Sequence, residues 1–347
     1  MEMKRASNFE LLRILLIIFV IALHYNDSSR QGAFFFIENA SILNKFFLYS
    51  MESLSLCAVN TFLCLSGFFL SGKDFVNVRK IIHIFTILFA YRIFSYLPWA
   101  ITHHNLSLIG FVKCFIPSNY YANLYCVVVL LSPFLNRVTN KFDEKNYNLF
   151  MIMLLTLFSI IPTVTVYLPL SQSVSTISLY GNGRGFTIVN FILLYYVGGF
   201  IAKKNYSSIT MSLMMYFASS LIICILMFVN RTAIIAYCNI FVVLQAASLI
   251  VIFKNFHFQS MIVNSIAKSV WGIFCIHVMF MRLYCKIFPI DLKTDLLSLL
   301  LHFTTCVLGA FVCSLIWDKI CSIILIPVEK LFDKIRFFNK KISVEQV

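Results

Sequence analysis

Residues 8–24 read Asn8-Phe9-Glu10-Leu11-Leu12-Arg13, then ten apolar residues from Ile14 to Leu23, then His24. A run this long and apolar is a membrane-spanning helix, because about 20 such residues cross the hydrocarbon core. An arginine and a histidine inside it are costly in lipid, so both are read as functional and each needs a partner. The spacing is close to three whole turns, so both side chains leave the same stripe of the helix, roughly 16 Å apart along its axis. One helix therefore offers a cation near one membrane face and an imidazole deep within. Glu10 stands one turn before Arg13 and is placed to pair with it. Such a pair suits an interfacial clamp, and an arginine fork also suits the phosphate of a cytoplasmic cofactor.

The rest of the chain has the same character. Of its 347 residues 60% are hydrophobic and only 12% charged, with a mean hydropathy of +0.88. Ordinary soluble domains carry about twice that charged fraction. Apolar runs recur at about 9–28, 47–71, 81–101, 119–136, 147–168, 187–202, 206–228, 233–253, 267–288 and 296–317. Barrel strands would instead show short alternating segments. The expected fold is an all-α, polytopic bundle of about ten transmembrane helices forming one domain over 1–347. Spans occupy 9–317, and a tail of about 320–347 with apolar and basic faces is expected along the inner membrane surface. The first span follows Lys4 and Arg5 without a small-residue cleavage site, so it reads as a retained helix.

The net charge of +14 raises nucleic acid as a partner. Its distribution argues against that, since the basic residues fall in short clusters between spans. Eighteen of the 28 Lys and Arg residues lie in segments on the N-terminal side of the membrane, against seven on the other. Arg13, Arg92 and Arg282 lie inside spans. This bias predicts that both termini are cytoplasmic. The eleven cysteines form no CxxC pair and no Cys/His ligand spacing, so no metal site is indicated. Two outer segments are longer than the rest, 102–118 and 169–186. The second ends Tyr180-Gly181-Asn182-Gly183-Arg184-Gly185 and reads either as a flexible connector or as part of an outward acceptor site.

Four further segments join the Arg13-x10-His24 spacing to make a pattern. They are Asn60-Thr61-Phe62-Leu63-Cys64-Leu65-Ser66-Gly67-Phe68, Tyr120-Tyr121 through Tyr125 to Leu131-Ser132-Pro133-Phe134-Leu135-Asn136, Leu194-Tyr195-Tyr196-Val197-Gly198, and Gly272-Ile273-Phe274-Cys275-Ile276-His277. In this order they resemble the acyltransferase 3 family of integral membrane acyltransferases over about residues 8 to 336. Tyr120 stands where tryptophan is usual, Phe274 where tyrosine is common, and Tyr25 where many relatives carry a second histidine. The resemblance implies transfer of an acyl group, usually acetyl, from a cytoplasmic coenzyme A thioester to a hydroxyl of a surface glycan or its lipid-linked precursor. It places the protein in the bacterial cytoplasmic membrane, among membrane lipids, with acetyl-CoA as co-substrate and no permanently bound cofactor.

His24 and Arg13 are the expected catalytic residues; Glu10, Arg79, Lys80, Tyr121, Tyr125 and His277 are the expected substrate-binding set. An imidazole takes a proton from a hydroxyl and returns it to a leaving thiolate. Arg79 and Lys80 suit coenzyme phosphates or plain positive-inside anchoring. His83 and His302 are expected to be structural. Ser66-Gly67 is read as a helix-packing site, because the Gly-x-Ser-x-Gly context of a serine nucleophile is absent. The alternative is a polytopic transporter or a flippase of a lipid-linked glycan. Against transport stand the lack of paired, broken half-repeats and a scarcity of carboxylates within the spans.

Overall fold

The computed structural model describes residues 6–165, 177–204, 206–334 and 341–343. Helix α1 (Ser7–Asn26) is followed by α2 (Ile42–Ser55) and α3 (Ala58–Leu70), which together form the second apolar stretch, broken at Leu56-Cys57. Next come α4 (Val78–Thr102), the short α5 (Leu108–Lys113), α6 (Tyr120–Asn140) and α7 (Glu144–Leu155). A π-helical turn, Thr156–Ile160, leads into α8 (Ile161–Thr165). Pro162 has no N–H for the regular ladder, and the backbone re-registers just ahead of it. The chain then runs through α9 (Ile188–Lys203), α10 (Ile209–Ile234), α11 (Ile240–Lys254), α12 (Met261–Ala267), α13 (Val270–Ile287) and α14 (Leu296–Lys334).

Eight of these segments are long and apolar enough to cross a membrane. The other two expected spans are α9 and α11, only 16 and 15 residues long. Both are apolar on nearly every face, with Phe191, Leu194 and Tyr195 of α9 and Val242, Ala246 and Ile250 of α11 buried. A helix apolar all round belongs inside a bundle, and there it is enclosed by longer neighbours. The polytopic all-helical bundle is thus the observed fold. One difference concerns its end. No glycine or proline interrupts residues 317–326, and α14 continues beyond 317 to Lys334. The first part of the expected tail therefore prolongs the last helix, while residues 335–340 and 344–347 lie outside the described residues. Lys341–Ser343 (β2) pairs antiparallel with Phe75–Asn77 (β1), Phe75 opposite Ser343.

Polar side chains pin the apolar helices to one another. Asn136, at the end of the Leu131–Asn136 segment, donates to the carbonyls of Leu70 (2.7 Å) and Lys73 (2.9 Å) and accepts from the Tyr195 hydroxyl (2.9 Å). It thereby satisfies carbonyls that the end of α3 leaves without helical partners. Replacing Asn136 by leucine strips that cap and orphans buried groups, each worth about 1–3 kcal/mol. The expected result is a clear fall in the thermal aggregation midpoint of the detergent-purified protein. At the other end of the bundle, Asn44 donates to Leu292 and Thr294 (3.1 and 2.8 Å), holding α2 against the loop before α14. Helices α3 and α9 touch backbone to backbone through Gly67 and Gly198, the packing role expected of Ser66-Gly67.

Candidate functional site

Helix α1 stops inside the bundle. Its last turn carries His24, whose ring lies 5.1 Å from that of His277. His277 precedes the end of α13 by ten residues, so roughly 15 Å of helix extends beyond it. Asn26 meets Glu52, equally far from the start of α2. The chain climbs back through three single 3-10 turns, Ser28–Arg30, Ala33–Phe35 and Ile37–Asn39. His24 is therefore deep in the molecule while sitting in the last turn of its helix.

Asp27 supplies a partner for His24. Its Oδ2 is 3.7 Å from His24 Nδ1, within ion-pair range but longer than a direct hydrogen bond. It also pairs with Arg30 Nε (3.2 Å) and accepts from the Ser29 backbone N–H and hydroxyl (2.9 and 2.7 Å). Burial by itself raises the Asp27 carboxyl, but the His24 contact and the Ser29 hydrogen bonds outweigh it and lower it to about 2. A depressed carboxylate contributes stability that is lost only as pH falls through that value. Asp27 is therefore charged throughout the neutral range, next to the imidazole.

The geometry also determines which proton His277 carries. Its Nδ1 lies 3.0 Å from the Ile273 carbonyl, which can only accept, so Nδ1 bears the hydrogen. In the neutral ring Nε2 is then an acceptor. It is buried and has no hydrogen-bond partner among the described residues. A second base thus stands beside His24 with its lone pair unused.

An aromatic series leads away from this pair. Phe274 lies 6.2 Å from His277, Tyr121 5.5 Å from Phe274, and Tyr125 stacks on Tyr121 at 5.8 Å. Ser66 Oγ is 3.5 Å from the Tyr125 hydroxyl. Arg13 closes the series. It lies within electrostatic reach of Tyr121, packs 6.0 Å from the Phe69 ring, and pairs with Glu10 at 3.0 Å. So α1, α6 and α13 bring Arg13, Tyr121, Tyr125, His277 and His24 into one corridor of neighbouring side chains, with Glu10 holding Arg13. Arg79 and Lys80 stand apart, exposed in the first turn of α4 behind the Asn77 cap.

Three carboxylates went unrecognised in the sequence. Asp27 follows His24 at the same spacing that joins Glu10 to Arg13, so its signal was present. Glu52 and Asp318 are both only 5% exposed and lie within apolar stretches. They add to the few carboxylates expected within the spans. Each is hydrogen-bonded, Glu52 to Asn26 (2.9 Å) and Asp318 to the Tyr91 hydroxyl (2.6 Å). His302 bridges two elements: its Nε2 donates to the Phe288 carbonyl (3.0 Å) and its Nδ1 accepts from Tyr25 (2.8 Å). The Gly-rich stretch before α9 is a built turn in its described part. Gly185, at φ +90°, presses on the Cys238 backbone and its carbonyl accepts from Asn190 (3.1 Å).

A family model described as an acyltransferase domain matches residues 7–318 of the chain. No curated protein and no solved structure matches it.

Proposed function

The chain belongs to the acyltransferase family whose model spans nearly all of it, and from that premise we propose that it is a bacterial cytoplasmic-membrane O-acetyltransferase. It moves acetyl from cytoplasmic acetyl-CoA to a hydroxyl of a cell-surface polysaccharide or its lipid-linked precursor. The observation that carries this reading is the corridor joining Arg13 to His24, which links a cation with an imidazole inside the bundle. The excess of basic residues at the Arg13 end supports a cytoplasmic position for that end.

In this mechanism Arg13 holds a phosphate of the coenzyme, with Arg79 and Lys80 adding positive charge at the same end of the bundle. The pantetheine arm runs along Tyr125, Tyr121 and Phe274 and brings the thioester to His24. His24 takes the acceptor hydroxyl's proton as that oxygen attacks the thioester carbonyl. The C–S bond then breaks, and the imidazolium returns the proton to the departing thiolate. Asp27 orients the ring and stabilises its charged form.

Arg13→Ala is expected to raise KM for acetyl-CoA by about tenfold or more, the loss of one charge-assisted contact. The maximal rate should change far less, because the chemistry occurs at the other end of the corridor. Glu10→Gln should have a smaller effect in the same direction. Initial rates against acetyl-CoA concentration separate these outcomes.

The reading as a whole is tested by NMR of surface polysaccharide from cells with and without the protein. Loss of base-labile O-acetyl signals from an otherwise intact polymer is the expected result. Loss of the whole polymer would favour a lipid-linked glycan flippase, and an unchanged ester content would overturn acetyl transfer.

A further inference from the structure

A cavity of about 450 Å3 opens between α4, α5 and α13, away from the corridor. Helix α13 divides the two, turning Phe274 and His277 toward Tyr121 and His24, and Cys275 toward the cavity. The volume falls within the range of small-molecule sites. Its walls include Tyr91, Arg92, Tyr96, Trp99 and Lys113.

This site is built by specific contacts. The Tyr96 hydroxyl donates to the Ser107 carbonyl and accepts from the Ser107 N–H, both at 3.0 Å, folding the segment before α5 back onto α4. Gly110 makes room for that hydroxyl, since a Cβ there would lie 2.3 Å from it. The Arg92 guanidinium donates to the Ile116 carbonyl, fixing the far side of the same segment.

The charges facing this space are both positive. Arg92 lies well inside the α4 span, and among the described residues neither it nor Lys113 has a carboxylate within ion-pair distance. No Asp or Glu lines the cavity. An intramembrane arginine takes a partner; Arg92 uses one donor on the Ile116 carbonyl, and the rest of its planar fork suits phosphate oxygens. The surroundings determine what kind of anion. Leu108, Ile109 and Val112 of α5 are 78%, 69% and 52% exposed, and Leu88 extends the apolar wall of the cavity. An anion carrying a hydrocarbon chain can lay that chain on this apolar surface while its head meets the two cations.

We propose that this cavity is a binding site for the phosphate head of an amphiphilic lipid, held by Arg92 and Lys113, with its hydrocarbon chain along α4 and α5. Only the further identification of that lipid as the carrier of the acyl acceptor rests on the acetyl-transfer reading; the binding does not.

The test is a titration of the full-length, detergent-purified protein with farnesyl phosphate, read by intrinsic tryptophan fluorescence and by retention of radiolabelled ligand. Farnesol and inorganic phosphate serve as comparison ligands. Saturable binding of farnesyl phosphate is expected, with both comparison ligands at least about tenfold weaker, since each lacks one half of the recognition. Arg92→Gln/Lys113→Gln should lose about tenfold or more in affinity, and Lys113→Arg should bind nearly as the wild type does. His24→Ala should also bind normally, so failure of lipid binding is distinguishable from failure of the acetyl-transfer reading. The Lys113 side chain makes no hydrogen bond or ion pair among the described residues, so Lys113→Gln keeps the test valid if Arg92 variants do not fold. Unchanged affinity in Lys113→Gln overturns the proposal. So does farnesol binding as tightly as farnesyl phosphate, and equal affinity for inorganic phosphate would reassign the site to a free anion.

Discussion

Replacing His24 by alanine is expected to reduce acetyl transfer by about 10²–10⁴-fold, the usual contribution of a positioned general base. The loss should appear in the maximal rate with little change in KM for acetyl-CoA, because Arg13, Tyr121 and Tyr125 are untouched. His24 is partly exposed, and its polar and ring contacts among the described residues include the Asp27 pair and the His277 ring. The variant should therefore fold and elute as the wild type does. Asp27→Asn is the companion experiment. It keeps the Ser29 geometry but removes the charge beside the imidazole, so a smaller loss, on the order of tenfold, is expected, together with a displaced pH–rate profile. A purely structural Asp27 would lower yield without moving that profile. His24→Ala protein that is monodisperse in detergent and still transfers acetyl at the wild-type rate would exclude His24 as the base.

Where the reading succeeded and where it stopped follows from what is local. The spans are set by runs of apolar residues, and all ten recur as apolar helices, most of them starting within a few residues of expectation, although α11 begins seven residues late and α14 runs on to Lys334. The Glu10–Arg13 pair is likewise a matter of helical spacing, and it is present. The corridor is a different kind of feature. Tyr121 meets Phe274 only because α6 and α13 are neighbours, and no periodicity within either helix encodes that. The resemblance placed Tyr121, Tyr125 and His277 on the candidate set without saying that they touch. That the polar turn after His24 begins buried was hidden for another reason. Asn26-Asp27-Ser28-Ser29 has the composition of an exposed loop, yet Asn26 is fully buried against Glu52. A polar run reads as the membrane surface unless a buried carboxylate is known to receive it. The Arg92 cavity was equally out of reach, because it depends on a loop folding back through Tyr96 and Gly110.

Gly198→Val is expected to leave almost no folded protein. A Cβ at Gly198 would lie 1.9 Å from the Cys64 carbonyl oxygen and 2.7 Å from its carbon, and one at Gly67 would lie 1.9 Å from the Tyr195 oxygen. The obstacle in each case is the main chain of the facing helix, which cannot rotate away as a side chain can. Ordinary overpacking costs about 1–3 kcal/mol through side-chain and small backbone shifts. Here α3 and α9 must separate along the whole contact, and the consequences spread. Tyr195, one turn before Gly198, holds Asn136 (2.9 Å), and Asn136 caps the end of α3. Displacing α9 thus breaks the hydrogen bonds that also fix α6. Alanine at 198 meets the same oxygen and should fail in the same way. Gly309→Ala is the contrast, since a Cβ there has nothing within 4 Å and alanine favours helix over glycine by about 1 kcal/mol. Size-exclusion profiles of fluorescently tagged variants read the outcome directly. A monodisperse, active Gly198→Val protein would mean that α3 and α9 do not pack through their backbones.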